Sequence, residues 1–272
     1  MNSPGRPDSR TGSGPSLIEL AGERASGALL CDAGTVYLRE GRVVHAESPV
    51  APGIDVLLTT GGRLTAETWR EAVGHTDGPG GVGRFLVDSG RLSDAALEIC
   101  QLGALFDAAY FALGTGGGPR GFQRGAAHRL GSVRPVGADA VERETRRRSR
   151  LLDDLWPCPH VDTAPVVLRR ADPRSPAVTR RQRAVLDLAD GVRTPADIAR
   201  ALGRPAFHTL IDIRRLAAAG HVVTPRPQAT APSARSPGSG AVVWPDTVPE
   251  TVFADPGIDL LRRLRDALEA TL

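Results

Sequence analysis

Two periods of apolar and polar positions run along this chain, and the switch between them divides it. From residue 28 to 46 the runs are short and strand-like: Ala28-Leu29-Leu30-Cys31, Thr35-Val36-Tyr37-Leu38 and Arg42-Val43-Val44-His45-Ala46. The last two are joined across Arg39-Glu40-Gly41, where Gly41 supplies the positive φ of a tight hairpin. Helical spacing takes over at residues 52–60 and 66–73, and a glycine-rich break follows at 75–83. Ser93 then caps a helix running to Leu113. Its apolar positions, among them Leu97, Leu102, Leu105, Phe106 and Ala109, cover most of its surface, which predicts a place at the centre of a core. A candidate strand at 121–125 and a helix over 139–155 follow, the latter densely charged at 142–150. Strands and helices in this arrangement predict an α+β fold.

The pattern also sets expected boundaries. Residues 1–16 are Ser, Gly, Pro and Arg with little to bury and read as a disordered tail, and 17–156 form the first module. A Pro-rich linker at 157–176 carries a candidate strand at 165–168. The second module spans 177–224, and a Pro/Ser/Gly-rich tether spans 225–250. Within the tether, the apolar run 241–244 is expected to return as a strand beside Val222. At 251–272, Asp255 caps an amphipathic helix with Pro256 at its first position and a stripe of Ile258, Leu261, Leu264 and Leu268.

Residues 178–224 hold three helical segments and a short terminal strand. Thr194 caps the middle helix, Pro195 suits its first position, and Asp197 stands where a capping box places its acid. Gly203-Arg204-Pro205 breaks that helix, and Phe207, Leu210, Ile213 and Leu216 carry the next. With T-x-x-D-I-A-x-x-L-G running into L-x-x-I-x-x-L-x-x-x-G-H-V, the segment resembles a winged helix-turn-helix domain. That resemblance implies a third helix lying in the DNA major groove, its N-terminal residues on base edges. Arg204, His208, Thr209, Asp212 and Arg215 form its expected outward face. Arg180, Arg181 and Arg183 of the first helix add charge for phosphates.

The first module has a resemblance of its own. G-A-L, then T-V-Y-L-R-E-G-R-V-V-H-A, then V-G-R-F-L-V-D-S-G-R-L-S, then G-F and a helix with E-R-E-T-R-R-R, is similar to the PATAN domain over residues 17–156. The family implies a bacterial regulatory or protein-interaction module of mixed strands and helices, not an enzyme.

Composition narrows the function classes. A charge of +3 permits a nucleic-acid partner without arguing for one. No lysine occurs; every basic side chain is Arg, which reads as coding bias. Cys31, Cys100 and Cys158 are isolated and odd in number, which suits a reducing cytoplasm. The N-terminal residues lack the apolar core of a signal peptide, and no stretch reads as long enough to span a bilayer. Neither glycine-rich run, 78–83 or 114–118, has the Lys-Ser/Thr of a P-loop. Trp156-Pro157-Cys158-Pro159-His160 pairs a thiol with an imidazole, but no second pair completes a four-ligand zinc set. His45 reads as a partly buried histidine hydrogen-bonded within the module. No nucleophile–base constellation is visible.

The expectation is therefore a non-enzymatic, cytoplasmic bacterial regulator without cofactor, metal or membrane contact. It binds DNA through Arg180, Arg181, Arg204, His208, Thr209 and Arg215, receives its signal from a protein on the first module, and is compatible with a homodimer. The alternative is an adaptor whose winged helix and terminal helix, through Ile258, Leu261, Leu264 and Leu268, bind protein.

Overall fold

The computed structural model describes residues 14–75, 81–114, 118–128, 134–169 and 176–223. Ser16 caps a short first helix, α1 (Leu17–Gly22), through a capping box with Glu19. β1 (Gly27–Cys31), β2 (Gly34–Arg39), β3 (Arg42–Glu47), β4 (Pro119–Arg124) and β5 (Val136–Gly137) form one antiparallel sheet in the order β4-β1-β2-β3-β5. The β2–β3 hairpin closes as expected. Glu40 and Gly41 take φ values of 51° and 78°, the two left-handed residues that match the twist of the flanking strands.

A register shift on this hairpin decides which side chains face the core. Leu38 pairs with Val43 and Tyr37 with His45, so Val44 is the extra residue of a bulge. Val43 and Ala46, three apart, therefore both enter the core with Val36 and Leu38, while His45 and Glu47 fall on the other side of the strand with Tyr37.

Three short helices follow the hairpin: α2 (Ile54–Thr59), α3 (Ala66–Gly74) and α4 (Gly81–Asp88), the last beginning inside the expected glycine break. They close a small core of Ile54, Leu57, Leu58, Ala72, Val82 and Leu86 against Leu97 and Ala104 of α5 (Asp94–Gly114). Leu105, Ala108, Ala109, Tyr110, Phe111 and Ala112 of α5 belong to the larger core under the sheet. The helix is apolar all round because two cores claim it. Its length and composition would also let it cross a membrane, which corrects the reading that no stretch approaches that length; here just over half of that window is buried inside the fold.

α6 (Ala138–Leu155) turns Ala138, Val141 and Leu152 inward. Its arginines pair largely with acids one turn back: Arg143 with Asp139, Arg146 with Glu142, Arg148 with Glu144. A 3₁₀ turn (Pro159–Asp162) leads to α7 (Arg180–Leu186), α8 (Pro195–Leu202) and α9 (Ala206–Ala218). The capping box of Thr194 and Asp197 forms as expected, and Gly203 ends α8 in the left-handed conformation at φ 60°. Val167 bridges Asp190, and Leu168 bridges Val222. The partner of Val222 is thus the candidate strand at 165–168; the run at 241–244 lies outside the described residues, as do the tether and the terminal helix.

The described residues belong to one compact unit. Ala199 of α8 and Ala206, Phe207 and Leu210 of α9 sit in the same core as the sheet, α5 and α6. Arg214, 2 % exposed, binds Asp162 through two nitrogens at 2.9 and 2.5 Å and donates to the carbonyls of Leu152 and Trp156 at 2.7 and 2.5 Å. It fastens α9 to the end of α6 and to the 3₁₀ turn.

Candidate functional site

Two groups of side chains outside the apolar cores are arranged closely enough to do chemistry. The first gathers on the outer side of the hairpin. Tyr37 and His45 are cross-strand neighbours on β2 and β3, and Glu47 lies two residues beyond His45. His128, just after β4, stacks on His45 with ring centroids 3.7 Å apart and planes 14° from parallel. Its Nε2 is 2.8 Å from Glu47 Oε1, and His45 Nε2 is 4.0 Å from the same oxygen. The Tyr37 hydroxyl donates to the other carboxylate oxygen at 3.1 Å. One donor atom from each of His45, Glu47 and His128 can be chosen so that all lie within 4.8 Å of one another. Cys158 and His160 take no part.

Burial sets the protonation states here. It pushes His45 down to about 4, with the neighbouring His128 adding to the effect and Glu47 opposing it. It pushes Tyr37 up to about 12, helped by the charge of Glu47. The hydrogen bond from His128 holds the Glu47 carboxyl below its ordinary range. At neutral pH the site therefore presents a carboxylate, a neutral buried imidazole and a protonated phenol. Beside it lies a pocket of about 500 Å³, lined among others by Thr35, Ser48, Asp55 and Trp69 together with His45, Glu47 and His128.

The second group is the expected DNA surface. Arg180, Arg181, Arg183, Arg204 and His208 line one shallow concavity of about 740 Å³ between α7 and the α8–α9 turn. Arg180, Arg183 and His208 are exposed. Arg181 is committed elsewhere: its Nε donates to Asp212 at 2.6 Å and its terminal nitrogen to the His208 carbonyl at 3.0 Å. Arg204 buries one guanidinium nitrogen that finds no hydrogen-bond partner among the described residues. Arg215 is exposed but outside the concavity.

Two residues do not face outward as expected. Thr209 is 2 % exposed and returns its hydroxyl to the Pro205 carbonyl, and Asp212 is 4 % exposed beneath Arg181. The reason is what packs on α9. Thr209 shares the side of Ile213 and Leu216, which pack with α7 and α8, and Arg181 of α7 covers Asp212, while Phe207, Leu210 and Ile211 are taken up by the core of the first module; His208 and Arg215 stay exposed. Its N-terminus is closed by Asp107 of α5, fully buried, whose two oxygens accept the amides of Ala206 and Phe207 at 2.7 and 2.8 Å. Arg148 stands 3.8 Å from Asp107, its guanidinium 4.5 Å from the Phe207 ring centre. Ile258, Leu261, Leu264 and Leu268 lie outside the described residues.

Sequence reasoning missed Glu47, His128 and Asp107. The H-x-E spacing on a strand opposite a tyrosine was readable. Nothing in the sequence connected His128 to it, because the link is the path of the chain across the sheet. No family model, no curated protein and no solved structure matches this chain.

Proposed function

We propose that the protein is a non-enzymatic signalling regulator, in which a PATAN-like module takes the input and a winged-helix-like unit serves as a protein-docking element. The burial of α9 carries this reading. A helix that reads bases keeps its N-terminal residues polar and free to enter a groove. Here Ala206 and Phe207 are apolar and seated in the core with α5 and α6, their amides are bound to Asp107, Thr209 is buried, and His208 is the one residue of that first turn left exposed.

A second reading, a transcriptional regulator that binds DNA, has one observation in its favour: the arginine-lined concavity of α7 and the α8–α9 turn. Such a surface suits phosphates and would give salt-dependent affinity without sequence preference. The test is retention of labelled duplex fragments over a salt series. The docking reading expects no sequence-selective retention, and at most weak low-salt binding that is lost in the Arg180→Ala/Arg183→Ala double variant. Selective retention with a steep salt slope, abolished by Arg204→Ala or Arg215→Ala, would overturn it in favour of the regulator that reads DNA.

A further inference from the structure

We propose that His45, Glu47 and His128 bind a divalent transition-metal ion of the zinc class, held at the edge of the neighbouring pocket with coordination left open toward it. Two imidazole nitrogens and one carboxylate oxygen are a donor set that this class of ion favours, and three protein ligands leave room for water or a small ligand. This inference is independent of the function proposed above.

The fold brings the three donors together by two separate devices. Strand alternation keeps His45 and Glu47 on one side of β3, and the bulge at Val44 sets that side opposite to the one Val43 and Ala46 give to the core. The chain leaves the sheet at β4 on one edge and rejoins it at β5 on the other, beyond β3. His128 lies on that crossing and contacts Tyr37, His45 and Glu47. An ion pair between Glu47 and His128 would need only two of these residues. The third, His45, directs its Nε2 to the same carboxylate oxygen from a ring stacked on His128.

The carboxylate is also oriented for the task. Tyr37 occupies Oε2, which leaves Oε1 facing both imidazoles. This is the outer-shell arrangement that fixes a ligating carboxylate. Ligands about 2.1 Å from a tetrahedral ion stand roughly 3.4 Å from one another. The donors here lie within 4.8 Å of one another, with His128 Nε2 2.8 Å from Glu47 Oε1. Binding therefore draws the widest separation in by at most about 1.4 Å and opens the Glu47–His128 contact by about 0.6 Å. The two rings must also tilt apart from their nearly parallel stack so that their nitrogens converge. Glu47, whose side chain is half exposed, supplies most of this motion.

The experiment is titration of the chelator-treated full chain with Co²⁺ alone, followed by its visible absorption, and then displacement by Zn²⁺. The expected result is one ion per chain, giving the intense bands of a four- or five-coordinate site. His45→Ala and His128→Ala should each abolish those bands, and Tyr37→Phe should weaken binding about 10- to 100-fold. Glu47→Gln, close in shape, should also lose the ion while keeping the circular dichroism of the wild type. Cys158→Ser/His160→Ala should bind as the wild type does. Zn²⁺ should raise the melting temperature of the wild type and not that of Glu47→Gln. Absence of the Co²⁺ bands from the wild type would overturn the assignment, as would wild-type binding in Glu47→Gln or in a folded His45→Ala. If His45→Ala does not fold, Glu47→Gln and Tyr37→Phe decide the matter.

Discussion

Asp107 places a carboxylate where no solvent reaches, in the middle of the long, largely apolar helix α5. Two amides at the start of α9 and the nearby Arg148 compensate it. Replacing it with alanine leaves those two buried amides without their acceptor, whereas Arg148 keeps Glu144 and the Phe106 carbonyl. Asp107→Ala is expected to cost about 2–3 kcal/mol in urea unfolding, since a lost cap and two unsatisfied buried amides contribute. Burial pushes the acid up from its ordinary 3.8 to about 6, against the pull of the amides and of Arg148. A carboxyl whose pKa rises on folding holds its proton more tightly in the native state. Its linkage therefore stabilises the fold fully below 3.8, and the contribution is lost as pH rises through about 6. Relative to Asp107→Asn, the stability of the wild type should decline by up to about 3 kcal/mol across that window. A difference that stays flat with pH would show that the carboxyl titrates as it does in the unfolded chain. None of this was visible beforehand: Asp107 reads as one polar position on an apolar helix, and its partners are about a hundred residues away. Thr209 shares the side of Ile213 and Leu216, so helical spacing alone turns it toward the α7–α8 core, and its polar residue type was the misleading signal.

Capping and turn chemistry, by contrast, is local and was legible. Thr194, Pro195 and Asp197 begin α8 as their residue types dictate, and the Glu40-Gly41 hairpin forms where expected. Gly203 does more than end a helix. A Cβ there would lie 2.3 Å from the Gly61 nitrogen and 2.5 Å from the Thr60 carbonyl carbon, at a φ that already disfavours side chains. The α8–α9 turn thus rests directly on the backbone after α2. Gly203→Ala should lower stability by at least about 2 kcal/mol, read from the urea midpoint, because neither backbone can give way cheaply. Arg214 is the corresponding tie at the other end of α9. Arg214→Met should cost about 3–5 kcal/mol by stranding Asp162, which burial already holds above its usual range. Adding Asp162→Leu should recover a large part of that loss. Arg214→Lys should not, because an ammonium cannot serve Asp162 and two carbonyls in the planar arrangement the guanidinium uses. A double-mutant cycle without coupling would refute this account.

For the molecule as a whole, two modules were expected on either side of a linker at 157–176. What joins them here is side-chain contact: Phe207, Leu210 and Ile211 in the core of the sheet, and Arg214 on the end of α6 and the 3₁₀ turn. The described region should accordingly unfold as one. Tryptophan fluorescence of a Trp244→Phe variant, which then samples Trp69 of α3 and Trp156 at the end of α6, should fall together with the far-ultraviolet circular dichroism in a single transition. Two separated transitions would mean that the contacts of α9 with the first module contribute little to stability.

The docked face of α9 also limits how such a protein can be inherited. A helix-turn-helix unit with a polar outward surface can stand beside any neighbour, because it leaves no apolar side chain uncovered. A gene fragment encoding 177–223 would carry Phe207, Leu210 and Ile211 into water and leave the opening amides of its third helix without Asp107. The donor gene would lose the lid over α5 at the same stroke. Descent should therefore have kept these two segments in one reading frame, with substitutions in α5 and α9 answering one another across the seam.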